Sequence, residues 1–290
     1  MAERGKTIRL FLIEGISSGR WKCELSNWTG LAYRIPRTMI FDCSDREDLL
    51  STGVYFLIGK TDDGMGDKVY VGEAENVLPR IFQHIGKSKE WQDWTECVMF
   101  VSKDNSLNKA MIKYLESSLY DMVKEADRCE LVNSNRPPKS SLSESDESEM
   151  LEYLDNLRLL MGAMGHRFLE KKDSVTRKGE EGEIFYMNFE GREKTASMKV
   201  VDDGFLVLKG SDVSSGIAPA LANSGYGKIR SKMIEDGTIL NQSLTKDELF
   251  ASCSAATVVI SGNIDHPWGR WKTKDGRTLH EVYRKGSEEN

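Results

Sequence analysis

The chain has 290 residues, with 40 Lys and Arg against 46 Asp and Glu, a formal net charge of −6 and a pI near 5.5. Hydrophobic residues make up 39%, charged residues 30%, and mean hydropathy is −0.47, which excludes a collagen-like or wholly disordered chain and fits two globular domains. No apolar run approaches the roughly 20 residues that cross a bilayer, so the expectation is a cytoplasmic protein with no membrane partner, and bulk charge supplies no argument for nucleic-acid binding.

Residues 8–16 are interrupted by Arg9 and Glu14 and read as neither a span nor a signal. The five cysteines, Cys23, Cys43, Cys97, Cys129 and Cys253, are scattered without a C-x-x-C pair and read as reduced thiols. Residues 53–58 (GVYFLI) and 68–72 (KVYVG) are β-prone runs separated by turn formers, which predicts an antiparallel hairpin, with residues 97–101 (CVMFV) as a third strand beside it. Asn76 is placed to cap a helix that tolerates Pro79 in its first turn and carries Arg80 and His84 on one face. A second helix is predicted over 106–126, with Glu116 off the centre of its apolar stripe.

Residues 139–150 (KSSLSESDESEM) are serine-rich and acidic and read as a solvated linker, followed by an amphipathic packing helix over 151–164. Strands are predicted within 183–210, then helices near 217–235 and 249–260, then a turn-rich end. Around Trp268, Arg270, Trp271, Lys272, Lys274 and Arg277, aromatic and basic residues interleave, as a nucleic-acid surface would. The competing reading is tryptophans that close a small core under wet lysines. His166, His266 and His280 have no spacing that suggests a metal and read as structural.

The conjunction of Gly53-Val54-Tyr55, Tyr70-Val71-Gly72, Arg80 eight residues later, His84, Glu116 and Asn133 before a proline turn resembles the GIY-YIG nuclease superfamily, with valine in place of isoleucine in both tripeptides. Residues 203–211, 251–256 and 269–276 resemble a domain of unknown function, DUF4357, and Asn27-Trp28-Thr29-Gly30 with Pro36-Arg37 is similar to the lead-in of that architecture. The resemblance implies an α+β chain: a lead-in over 1–50 packed on a nuclease domain over 51–138, with a central three-stranded antiparallel sheet flanked by helices, then the linker and a mixed α+β domain over 151–290.

It also implies a metal-dependent endonuclease hydrolysing DNA. Glu116 would hold a single Mg²⁺ or Mn²⁺, Arg80 would clamp the phosphate, and Tyr55 would be the general base with His84 taking the proton onward. Tyr70 would bind phosphate or orient the water, and Asn133 would order its turn or hydrogen-bond near the site. The alternative is a catalytically silent nucleic-acid-binding or assembly protein. One such site cuts one strand at a time, so a homodimer, or a protein partner at the C-terminal domain, belongs to the expectation.

Overall fold

A computed structural model describes residues 5–62, 66–86, 91–171, 183–189, 195–201, 204–264 and 266–283. The chain divides into two compact units, Met1–Lys171 and Lys172–Asn290.

The first unit begins with strands β1 (Ile8–Leu12), β2 (Trp21–Leu25) and β3 (Gly30–Pro36), followed by three short 3₁₀ turns. Then come β4 (Gly53–Lys60), β5 (Asp67–Ala74), helix α1 (Val77–Gly86), β6 (Trp94–Ser102), α2 (Lys109–Ala126), β7 (Glu130–Leu131) and α3 (Glu144–Ala163). The strands form one sheet in the order β1-β2-β3-β6-β4-β5-β7. Every pairing is antiparallel except β5 with β7, which is parallel. The expected three strands are the centre of this sheet, and residues 1–50 do more than pack on it: β1 to β3 extend it edge to edge.

Strand β4 explains the layering. It is buried along its length up to Gly59, and alternation sends successive side chains to opposite faces. Val54, Phe56 and Ile58 enter a core shared with Ile112, Leu115 and Leu119 of α2 and Leu154, Leu157 and Leu160 of α3. Tyr55 and Leu57 enter the opposite core, with Val77, Leu78 and Ile81 of α1 and with Ile40 and Leu49 from the 3₁₀ turns. Helices therefore cover both faces of the sheet. The predicted hairpin closes where the Thr61 amide donates to the Gly66 carbonyl at 3.0 Å; residues 63–65 of its turn lie outside the described residues.

Residues 139–150 are not all linker. The Ser143 hydroxyl accepts from the Asp146 amide and caps α3, with Glu144, Asp146 and Glu147 in the first turn, where acidic groups complement the helix dipole. Met150, Tyr153, Leu154 and Leu157 then bury in the first unit's core. At about 1.5–3 kcal/mol for each large apolar side chain removed from water, that burial holds α3 to the first unit, so the division falls after Lys171 rather than at residue 150.

The second unit is also mixed α+β. Strands β8 (Ile184–Asn188), β9 (Thr195–Val201) and β10 (Gly204–Val207) lead to helices α4 (Pro219–Ala222) and α5 (Gly225–Glu235). A two-stranded ribbon, β11 (Ile239–Leu240) with β12 (Ser243–Leu244), precedes β13 (Glu248–Phe250), α6 (Cys253–Ser261), α7 (Pro267–Arg270) and α8 (Leu279–Tyr283). The main sheet runs β13-β10-β9-β8, and Phe185, Met198, Val207, Val259 and Trp271 share its core. Asp203 of the quoted DUF4357-like segment lies outside the described residues. All five cysteines are free, and all but Cys129 are buried. No helix among the described residues is long and apolar enough to cross a membrane.

Candidate active site

Tyr55 and Gly72 are register partners across β4 and β5. A Cβ at residue 72 would collide with the Tyr55 ring and hydroxyl, and one at residue 53 would collide with the main-chain oxygen of Phe100. Each tripeptide glycine therefore answers a close approach, one from a side chain and one from backbone. The Tyr55 side chain is 1% exposed and aims toward α1.

Helix α1 starts three residues after β5 and buries Val77, Leu78 and Ile81. That fixes its rotation and sends Arg80 and His84, one turn apart, back toward the tyrosines. The Tyr55 hydroxyl lies 2.9 Å from Nε2 of His84 and accepts from Nε of Arg80 at 3.3 Å. Tyr70 completes the group: its ring centroid is 6.2 Å from that of Tyr55 and 5.4 Å from that of His84. Arg80 also donates through Nη1 to Oε1 of Gln83 at 3.1 Å.

The outer edge of β5 organises the remaining residues. Alternate main-chain groups on that edge are taken up in turn. Val69 accepts from the Val132 amide at 2.8 Å. Val71 donates to Oδ1 of Asn133 at 2.9 Å and accepts from its Nδ2 at 2.8 Å. The Glu73 amide acts on the Glu116 carboxylate. Asn133 thus substitutes for a strand beside the residue that separates Tyr70 from Gly72. On α2, Leu115 and Ser117 are buried while Glu116 is half-buried, so its carboxylate comes to the sheet edge.

Burial is the main force on both key groups. It raises the Tyr55 phenol well above its ordinary value, helped by Tyr70 and opposed by Arg80. It pushes the Glu116 carboxyl up to about 7, with the charge of Glu73 adding to it, and the Glu73 amide, Arg80 and Lys113 acting against it. Glu116 also acts electrostatically on Tyr55, so five of the six expected residues (Tyr55, Tyr70, Arg80, His84 and Glu116) form one interacting group. Asn133 supports that group through the backbone.

Glu73 escaped the sequence reading. A charged residue at a strand end reads as solvated, and its only signal is that it follows the second tripeptide directly. Among the described residues no group of three or more His, Cys, Asp and Glu could cage a metal. A hard cation with one or two carboxylates, completed by water and phosphate oxygens, needs no such cage. The half-buried Glu116 beside the charge of Glu73 suits such an ion, because a positive charge would relieve both causes that raise its pKa.

In the second unit, Trp271 follows the core-closing reading and not the nucleic-acid one. It is fully buried, and its indole Nε1 donates to Oγ1 of Thr257 at 2.9 Å, so it closes the core and presents no stacking face. Trp268 packs edge-on against Phe205 with centroids 5.8 Å apart. Arg270, Lys272 and Lys274 line a shared groove.

A family model for a domain of unknown function, DUF4357, matches residues 185–283, so the second unit carries that domain. No curated protein and no solved structure matches the chain. The resemblance of the first unit to GIY-YIG nucleases rests on its sequence motifs alone.

Proposed function

We propose that the first unit is a metal-dependent endonuclease of the GIY-YIG type, hydrolysing phosphodiester bonds in DNA. The observation that carries this reading is a buried tyrosine hydroxyl held between a histidine nitrogen at 2.9 Å and an arginine N–H at 3.3 Å, with Glu116 acting on the same group.

Arg80 can only donate, so the Tyr55 oxygen accepts from it. The proposed chemistry assigns the phenolic proton to Nε2 of His84, which makes that ring neutral with its own proton on Nδ1. Because burial raises the Tyr55 phenol, a free phenolate is not its working form at neutral pH. It works as a relay: as the attacking water gives a proton to the Tyr55 oxygen, the phenolic proton passes to His84. The resulting hydroxide forms the new P–O bond as the bond to the leaving oxygen breaks.

Arg80 would turn its guanidinium toward the phosphoryl oxygens, where charge accumulates. Tyr70, beside both Tyr55 and His84, would orient the water or the phosphate. Glu116, with Glu73 near it, would hold Mg²⁺ or Mn²⁺, which supplies neutralisation of the phosphate and of the leaving oxygen. Asn133 and Gly72 are positioning residues that fix β5 and the Tyr55 ring.

Supercoiled plasmid incubated with purified protein and Mg²⁺ or Mn²⁺ tests the reading. Nicking by the wild-type chain that is lost in Glu116→Gln is the expected result. Equal nicking by both would overturn the site. Binding without cleavage by the wild-type chain would instead leave a catalytically silent nucleic-acid-binding protein.

A further inference from the structure

The second unit contains a groove of about 910 Å³ whose lining includes Tyr186, Asn188, His266, Arg270, Lys272 and Lys274. Reciprocal main-chain bonds of 2.7 and 2.9 Å between Tyr186 and Lys272 tie the segment after α7 onto β8 and fix its floor. No acidic side chain is among the described lining residues. None of Arg270, Lys272 and Lys274 forms an ion pair with a described residue. Asp275, adjacent in sequence, has its carboxylate taken up by the Thr273 hydroxyl and by Nε of Arg277 at 2.8 Å. Lys272, Lys274 and His266 are exposed.

We propose that this groove binds a single-stranded nucleic-acid segment, with Arg270, Lys272 and Lys274 on its phosphates and Tyr186 as the face for one base. Positive charge that has no ion-pair partner among the described residues, concentrated in a concavity on a chain whose net charge is −6, selects a polyanion locally rather than through bulk attraction. Its volume exceeds what one phosphate needs and suits a short stretch of strand. Asn188 and Asn263 add donors and acceptors for sugars or base edges. An aromatic ring beside basic groups is the pairing by which strands are held without regard to sequence. The groove is independent of the proposed chemistry in the first unit, because no residue is shared.

The test uses the full chain in EDTA, where metal-dependent cleavage is silent, and measures the anisotropy of a labelled 12-nucleotide single strand. Lys272→Glu/Lys274→Glu changes two exposed side chains and should weaken binding at least tenfold. It should also reduce the slope of log affinity against log salt by about 1.4, at about 0.7 for each lost phosphate contact, while Lys272→Arg/Lys274→Arg binds as wild type. Unchanged affinity and slope in the Glu variant would overturn the proposal. So would competition by poly-glutamate equal to that of unlabelled oligonucleotide, which would make the groove an acidic-peptide site. Loss of binding in a chain that never cleaves DNA would sustain the groove while removing the nuclease reading.

Discussion

The Tyr55 ring lies against Gly72, its partner on the neighbouring strand, and fills the space that a side chain at residue 72 would need. Gly72→Ala must therefore move the ring or the strand. Overpacking of this kind costs about 1–3 kcal/mol, and the displaced hydroxyl would leave His84. The variant should unfold at lower urea concentration than wild type and lose most of any cleavage activity. Unchanged stability together with unchanged cleavage would show that the contact constrains neither.

Asn133 holds the edge of β5 by bonding both main-chain groups of Val71. Asn133→Ala leaves both to water or unpaired, which costs about 1–3 kcal/mol. Hydrogen exchange at the Val71 amide should accelerate in the variant, and cleavage should fall because Tyr70 is the adjacent residue. An unaltered exchange rate at Val71 would show that the edge is held by other means.

The sheet's centre is legible because β4, β5 and β6 each carry a run of apolar, largely β-branched or aromatic residues, and the glycines and tyrosines stand in the two tripeptides. Two features are hidden for separate reasons. Residues 144–150 read as solvated on their acidic composition, although Ser143 with acids behind it is also a helix start. Glu73 gives no sign in the sequence of lying near Glu116, since that depends on which edge of β5 remains open. For Trp271 the sequence offers both a stacking face and a core indole, and the structure decides for the core: its ring is buried while Lys272 and Lys274 are exposed.

Glu116 gives the metal-free protein a pH-dependent stability. Its carboxyl is pushed up to about 7 by burial first and by Glu73 second, against about 4.3 for an unfolded glutamate. Between those values the native state binds more protons than the unfolded state, so the contribution is fully present below about 4.3 and is lost as pH rises through about 7. Glu116→Gln should therefore be more stable than wild type at pH 8, on the order of 1 kcal/mol after allowance for partial exposure, and equal to it at pH 4. Denaturant titrations in EDTA at the two pH values measure this, and a difference of the same size at both would rule out the titration.

Trp271 anchors the second unit. Trp271→Ala empties a fully buried site and leaves the Thr257 hydroxyl without its indole donor, which should cost about 3–5 kcal/mol. Thermal unfolding of the full chain should show one transition move down, and a wild-type melting profile would place the indole outside the core.

The most direct test of the first unit's chemistry is the single-turnover rate of DNA nicking by Tyr55→Phe in saturating Mg²⁺ or Mn²⁺, beside wild type. Removing the one atom that His84 and Arg80 both contact should slow cleavage about 10²- to 10⁴-fold, with the variant still folded and still binding DNA. A Tyr55→Phe protein that nicks DNA as fast as wild type would contradict the account.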